Sequence, residues 1–177
     1  MDTICTERLI LRSFTPDDFP AFYAITSDPD TARLAGWGPD PDPVVARAFF
    51  LATEVAHPEW CSAICLTDGR VIGAVDAKPP HEWLRAQPRV QGLDGVALSF
   101  SIGKSWQNRG YMTEALRALL PVLLASHDYV NCGYFAENAA SRAVQDKLGF
   151  QLLGLHRFER DGIAHDVVDN IIFPERR

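Results

Sequence analysis

Ser105-Trp106-Gln107-Asn108-Arg109-Gly110-Tyr111-Met112-Thr113-Glu114-Ala115 follows an alternating stretch, Ala97 to Ile102, and runs into Leu116, Leu119, Leu120, Leu123 and Leu124. Alternation before it and helical spacing after it make this a strand-exit loop leading directly into a helix. Such a loop points free backbone amides at one spot, and the helix dipole adds partial positive charge, so a phosphate or pyrophosphate would be stabilised there. Arg109 adds a full positive charge. A plainer reading of the same residues is an ordinary strand-to-helix turn in which Gly110 supplies a special backbone angle. The stretch is neither GxGxxG nor GxxxxGK(S/T), because the required glycines and lysine are absent.

Working outward, Arg8-Leu9-Ile10-Leu11-Arg12 reads as a strand and Thr15-Pro16 as a helix start, with Phe19, Phe22, Tyr23 and Ile25 at helical spacing as far as Asp28-Pro29. The glycines and prolines between Asp28 and Pro43, around Leu34-Ala35-Gly36-Trp37, predict a loop. Residues 44–56 return to helical spacing and close at His57-Pro58. Cys61 to Leu66 and Val71 to Ala77 predict an antiparallel hairpin turning at Asp68-Gly69. Residues 78–95, broken by Pro79, Pro80 and Pro88, predict a long irregular loop. In the strand Ala97 to Ile102, Leu98, Phe100 and Ile102 form a core face and Ser99 and Ser101 a small polar one. The helix after Gly110 carries Pro121, which removes a backbone donor. A strand near Val130 to Phe135, a helix from Ala139 to Leu148 and a hairpin from Phe150 to Phe173 turning at Asp161-Gly162 complete the chain. Mixed elements in this order predict an α/β (α+β) sheet with helices on its faces.

A chain of 177 residues suits one domain. Hydrophobic residues at 47% and charged residues at 23% are globular values and exclude disorder and coiled coil. No apolar run reaches membrane-spanning length and no secretory signal is visible, so the expected location is cytoplasmic, with no membrane partner. Seventeen Lys plus Arg against 23 Asp plus Glu give a net charge of -6, which disfavours nucleic acid and favours cationic ligands. Cys5, Cys61, Cys65 and Cys132 match neither a disulfide framework nor a zinc pattern and read as small buried hydrophobes. His57, His81, His127, His156 and His165 show no metal spacing, so no metal is expected. The nucleophile elbow G-x-S-x-G is absent, which argues against a serine hydrolase.

The second signal is Glu137-Asn138-Ala139-Ala140-Ser141-Arg142-Ala143-Val144-Gln145-Asp146-Lys147-Leu148-Gly149-Phe150, where Asn138 suits an N-cap and Gly149 a C-cap. Taken in order, the two stretches resemble the GCN5-related N-acetyltransferases, within them the branch like the RimJ and RimL ribosomal-protein acetyltransferases. That branch ends a strand in a Q/R-x-x-G-x-G/A loop, here Gln107 to Met112, then T-E-A, and later has N-x-A-S followed by K-L-G-F. Thr6-Glu7-Arg8-Leu9-Ile10-Leu11-Arg12 is similar to the branch's opening and Asp68-Gly69-Arg70-Val71-Ile72-Gly73 to its central hairpin, so the resemblance spans residues 6–173.

The resemblance implies a single domain over residues 1–177, with a mixed, mostly antiparallel sheet of about six to seven strands flanked by about four helices. It implies transfer of an acetyl group from acetyl-CoA, as cosubstrate, to a primary amine, either a protein N-terminus or a small molecule, by direct attack in a ternary complex. A non-catalytic acyl-CoA-binding or sensing module on the same fold is the alternative. In the family's pattern, amides from Gln107, Asn108, Arg109, Gly110, Tyr111, Met112 and Thr113 hold the pyrophosphate, and Phe100, Ser101 and Ile102 pair with the pantetheine arm or polarise the thioester. Asn138 contacts the pantetheine, Arg142 and Lys147 meet phosphates, and Ser141 protonates the leaving thiolate. Trp37 is the expected acceptor contact, and Asp76, His81, Glu82 and Asp94 are the candidate bases. A homodimer is compatible with such folds. Four residues depart from the pattern: Gln145 stands where many members carry tyrosine, Ala97 where some carry glutamate, Asn108 replaces a common glycine, and Met112 a common glycine or alanine.

Overall fold

The computed structural model describes residues 2–35, 42–160 and 163–174. The elements in chain order are β1 (Ile4–Cys5), β2 (Leu9–Arg12), α1 (Phe19–Thr26), α2 (Pro29–Ala35), α3 (Pro43–Phe50), β3 (Cys61–Leu66), β4 (Val71–Lys78), α4 (Glu82–Arg85), β5 (Gly95–Ile102), α5 (Tyr111–Leu124), β6 (Tyr129–Phe135), α6 (Ala139–Lys147), β7 (Gln151–Arg160) and β8 (Ile163–Ile172). Eight strands, rather than six to seven, share a mostly antiparallel sheet in the order β1-β2-β3-β4-β5-β6-β8-β7. The chain divides into two compact units, Met1–Asp76 with Phe100–Ala115, and Ala77–Ser99 with Leu116–Arg177.

In the first unit, β2 pairs antiparallel with β3, and β3 with β4. Continuous burial along Cys61–Cys65 and Val71–Val75 marks strands covered on both faces. Phe14, Phe22 and Phe50 fill the space between helices and strands, with ring centroids 4.7–5.7 Å apart in edge and tilted contacts. Gly69 turns the β3–β4 hairpin with φ 87, as the Asp-Gly pair predicts. Gly73 is required by a close approach, since a Cβ there would lie 2.6 Å from the Ser101 carbonyl oxygen.

In the second unit, β5 pairs with β6 in parallel from Gly95↔Tyr129 to Leu98↔Cys132, and β6–β8 and β8–β7 are antiparallel. Gly95 faces the fully buried Tyr129, whose ring leaves no room for a side chain. Helix α6 starts on Asn138, whose side chain accepts from Ser141 N at 3.0 Å. It ends in a Schellman pair, Gly149 N to Asp146 O and Phe150 N to Gln145 O.

Several expectations need correction. The stretch after Asp28 is the helix α2 rather than all loop, because Pro29 occupies its first turn and Asp28 Oδ1 accepts from Thr31 N and Oγ1 at 2.8 and 2.9 Å. Residues 78–95 contain the short helix α4, and β1 precedes the first expected strand. Helix α3 continues as a π-helical turn, Leu51–Val55. Leu98 is buried as expected and Val96, before the expected strand start, is buried too, but Phe100 and Ile102 are only half-buried. Cys61, Cys65 and Cys132 are buried, whereas Cys5 is exposed. The turn at Asp161-Gly162 lies outside the described residues.

One ion pair makes the first unit sensitive to acid. Arg12 donates to both oxygens of Asp18 at 2.7 and 2.8 Å, and Thr15 N adds a third bond at 2.7 Å. Burial alone would raise the Asp18 carboxyl, but the Arg12 and Thr15 bonds outweigh it and hold it below its ordinary value. The stabilisation is therefore present above the unfolded carboxyl range and lost as pH falls through the lowered folded value. Asp18→Asn should cost about 1.5–3 kcal/mol at neutral pH and much less in acid. Melting curves across pH check this, and parallel curves for the two proteins would contradict it.

Candidate functional site

The strand-exit loop of the first unit has the geometry of an anion cradle. After β5 a short 3-10 turn, Lys104–Trp106, leads to Asn108 with φ 59 and Gly110 with φ 79, and α5 begins at Tyr111. Left-handed residues alternating with ordinary ones bring successive N–H groups to one side, and the α5 N-terminus adds its dipole. Asn tolerates this backbone region better than any β-branched residue, so Asn108 preserves the turn that a glycine would make. Met112 is 5% exposed and packs in the core. Its size is absorbed there.

Cationic side chains surround the loop. The Arg109 and Arg70 guanidinium carbons stand 5.4 and 5.6 Å from the Trp106 ring, and that of Arg8 stands 4.6 Å from the Tyr111 ring. The Gln107 side chain turns back to donate to Ile102 O at 3.2 Å, so its amide braces the loop. Beside Gln107 opens a cleft of about 320 Å³ lined by Asp28, Asp30, Thr31, Arg33, Leu34, Lys104 and Gln107.

Glu114, in the first turn of α5, fixes the loop to the start of the chain. Its carboxylate accepts from Thr6 Oγ1 at 2.6 Å, Arg8 N at 3.0 Å and Arg8 Nε at 2.6 Å. Desolvation would raise its carboxyl, yet the Thr6 and Arg8 bonds hold it below the ordinary value. Arg8 Nη1 goes on to donate to Arg109 O at 3.2 Å. The opening Thr6-Glu7-Arg8 and the later Thr113-Glu114-Ala115 are thus the halves of one clamp. Arg8 and Arg70 were legible only as parts of motifs, and nothing in spacing linked them to the loop.

The second unit holds a buried polar network. Gln145 is fully buried, and its Nε2 donates to Ser141 Oγ at 3.2 Å while its Oε1 accepts from Asn170 Nδ2 at 3.0 Å. Asn170 O accepts from Asn131 Nδ2 at 2.9 Å, and the same amide lies 3.2 Å from Asp169 Oδ1. Asp169 Oδ2 is 2.8 Å from His156 Nδ1, under the Trp83 ring at 4.4 Å from the imidazole centroid. Ser141 is half-buried. Arg142 is exposed and pairs with Asp146 at 3.6 Å, and Lys147 is exposed in the last turn of α6. Phe100, Ser101 and Ile102 are half-buried in β5. Trp37 lies outside the described residues.

The candidate bases are dispersed. Asp94 pairs with His127 at 2.8 Å, and His81 and Glu82 are exposed at the start of α4. Asp76 groups with Glu54 and Cys61, their ligand atoms within 4.8 Å of one another. Burial, then the Asp76 and Glu54 carboxylates, push the Cys61 thiol far up, which leaves it protonated and a poor nucleophile. Among the described residues no helix is long and apolar enough to cross a membrane.

A family model described as an acetyltransferase (GNAT) domain matches residues 8–151. A search of curated proteins returns no match. Among solved structures, a GNAT-family acetyltransferase from Bacillus anthracis is 19% identical with a TM-score of 0.84, covering 99% of this chain and 100% of that one. RimL, the ribosomal L7/L12 alpha-N-protein acetyltransferase in complex with coenzyme A, is 16% identical with a TM-score of 0.78, covering 97% and 98%. RimJ from Mycobacterium smegmatis, in complex with a CoA disulfide, is 22% identical with a TM-score of 0.76, covering 98% and 88%.

The loop geometry carries a stability prediction. Asn108→Gly should be nearly neutral, whereas Asn108→Val should cost about 1–2 kcal/mol, because a β-branched residue is strained at positive φ. Urea unfolding of the two variants measures the difference, and equal midpoints would show that the turn is not held in this conformation.

Proposed function

The chain belongs to the GNAT acetyltransferase family, and from that premise we propose that residues 1–177 form one N-acetyltransferase domain of the RimJ/RimL-like branch. It transfers the acetyl group of acetyl-CoA to a primary amine, a protein N-terminal amine or a small-molecule amine, in a ternary complex. The observation that carries this reading is the loop Gln107–Thr113, with left-handed Asn108 and Gly110 leading into the α5 N-terminus and arginines on its flanks. A pyrophosphate is the ligand that such converging amides and cations suit.

In this reading the backbone of Phe100–Ile102 accompanies the pantetheine arm and offers an amide to the thioester carbonyl. The neutral amine attacks that carbonyl carbon, the C–S bond breaks, and the thiolate takes a proton from Ser141 Oγ, which solvent restores. The amine's surplus proton leaves to solvent. Asn138 caps α6 and so sets where Ser141 stands. Holding both reactants together supplies up to roughly 7–11 kcal/mol of the barrier, so few side chains are needed. The acidic balance of the chain, -6, favours a cationic acceptor. RimL acts on ribosomal L7/L12, which supports a protein N-terminus as the first acceptor to try.

Calorimetric titration with CoA and acetyl-CoA, followed by acetylation assays on N-terminal peptides and small amines, tests the reading. Micromolar binding with turnover is expected. Arg8→Ala should weaken CoA binding several-fold by releasing the loop, and Ser141→Ala should lower turnover about 10²-fold with CoA affinity unchanged. No binding at millimolar CoA would overturn the proposal. Tight binding with no turnover on any amine would make the chain an acyl-CoA-binding module instead.

A further inference from the structure

Ser141 is held from its inner side by a group that can only give it a proton, never take one. Gln145 Nε2 donates to Ser141 Oγ at 3.2 Å, and Ser141 N is committed to the Asn138 cap at 3.0 Å. A hydroxyl has one proton and two lone pairs, so a donor on its inner side leaves the proton to point elsewhere. Among the described residues no carbonyl or carboxylate accepts that proton. The Gln145 amide is oriented from behind: Asn170 Nδ2 donates to Gln145 Oε1 at 3.0 Å, which turns the NH2 toward the serine. Gln145 is 0% exposed and Asn170 5%, so water does not compete for either amide. Asn170 is itself pinned through its carbonyl by Asn131 Nδ2 at 2.9 Å.

We propose that Gln145 is a positioning residue that, oriented by Asn170, keeps the Ser141 hydroxyl an outward proton donor aimed at the sulfur of the departing thiolate. The inference rests on the reading of Ser141 as the acid. It also gives Gln145, which stands where many relatives carry tyrosine, a role of its own: it handles no proton and decides where the serine's proton points. Asn170→Asp reverses the relay with a nearly isosteric change. A carboxylate there accepts from Gln145 Nε2, turns the amide round, and leaves Oε1 to capture the serine proton. Gln145→Met keeps the volume and removes the relay altogether.

The test needs no acceptor amine. Bound CoA is titrated with pH, and the thiolate is read by its ultraviolet difference absorbance. A hydrogen bond from Ser141 to the sulfur favours the thiolate, so the bound thiol should titrate below that of free CoA. Ser141→Ala should raise the value by about one to two units, the size of one hydrogen bond to a charged group. Asn170→Asp should raise it as far, Gln145→Met by part of that amount, and Ser141→Ala combined with Asn170→Asp no further. CoA affinity measured below the titration range should stay within about twofold, since a thiol gains little from this bond. If Ser141→Ala leaves the titration unchanged, the acid role of Ser141 falls. If Ser141→Ala shifts it and neither Gln145→Met nor Asn170→Asp does, the positioning role of Gln145 falls while the acid survives. Should Asn170→Asp fail to fold, Gln145→Met decides alone.

Discussion

The Glu114 carboxylate is the contact on which the architecture of the strand-exit loop depends. It sits four residues into α5, where an acid also complements the helix dipole, and it accepts from Thr6 and twice from Arg8 across more than a hundred residues of chain. The left-handed backbone at Asn108 carries a conformational cost that the local bond from Gln107 Nε2 to Ile102 O does not address. The clamp offsets that cost from outside the loop. It fixes the first turn of α5, and through Arg8 Nη1 it holds the Arg109 carbonyl, so the backbone is pinned on both sides of Gly110. The paired signatures in the sequence, an opening T-E-R and a distant T-E-A, follow from this geometry, since each supplies what the other half of the clamp binds.

How much was legible in the sequence follows the range of the interactions. The Asp68-Gly69 hairpin, the Asn138 cap, the Gly149 stop and the strand-loop-helix at 97–124 are each set by a few neighbouring residues, and all are present as expected. Helix α2 was hidden because its Pro29 and the glycines beyond it carry a loop signature, although proline in a first turn after an aspartate is also a helix start. Phe100 and Ile102 alternate as core residues should, yet only Val96 and Leu98 are buried, because alternation reports which residues share a face and not whether that face is covered along the whole strand. Gln145 appeared as a departure from the tyrosine pattern. Its partner Asn170 lies 25 residues away on another element, and no periodicity or spacing rule joins an amide on a helix to an amide on a strand.

The two units carry opposite kinds of polarity. In the first, Arg8, Arg70 and Arg109 stand at the surface against aromatic rings, Arg8 also paired with Glu114 and Arg70 with Asp68, where solvent screens their charge. Surface cations of this kind attract and orient an anion at small cost. In the second unit the chain Ser141, Gln145, Asn170 and Asn131 is neutral and largely buried, where each unmade hydrogen bond would be expensive. These buried amides are therefore all engaged, and their engagement gives each one a defined direction.

That direction is why an amide suits this position better than a charge. On the proposed role, a serine that surrenders its proton to a thiolate cannot sit against a carboxylate, which would attract the proton inward and hold it in a low-dielectric surrounding. Asp169, a buried carboxylate of this unit, has one oxygen 3.2 Å from the Asn131 amide and the other 2.8 Å from His156 Nδ1. Of the Gln145 side chain it is the N–H end that reaches the serine hydroxyl, while Asn138 Oδ1 accepts from the serine's backbone N–H. Glutamine carries both polarities on one rigid plane, so once Asn170 claims its oxygen, its NH2 has to face Ser141. A chain of neutral amides thus transmits a direction without transmitting a charge, which is what the proposed acid role of Ser141 requires.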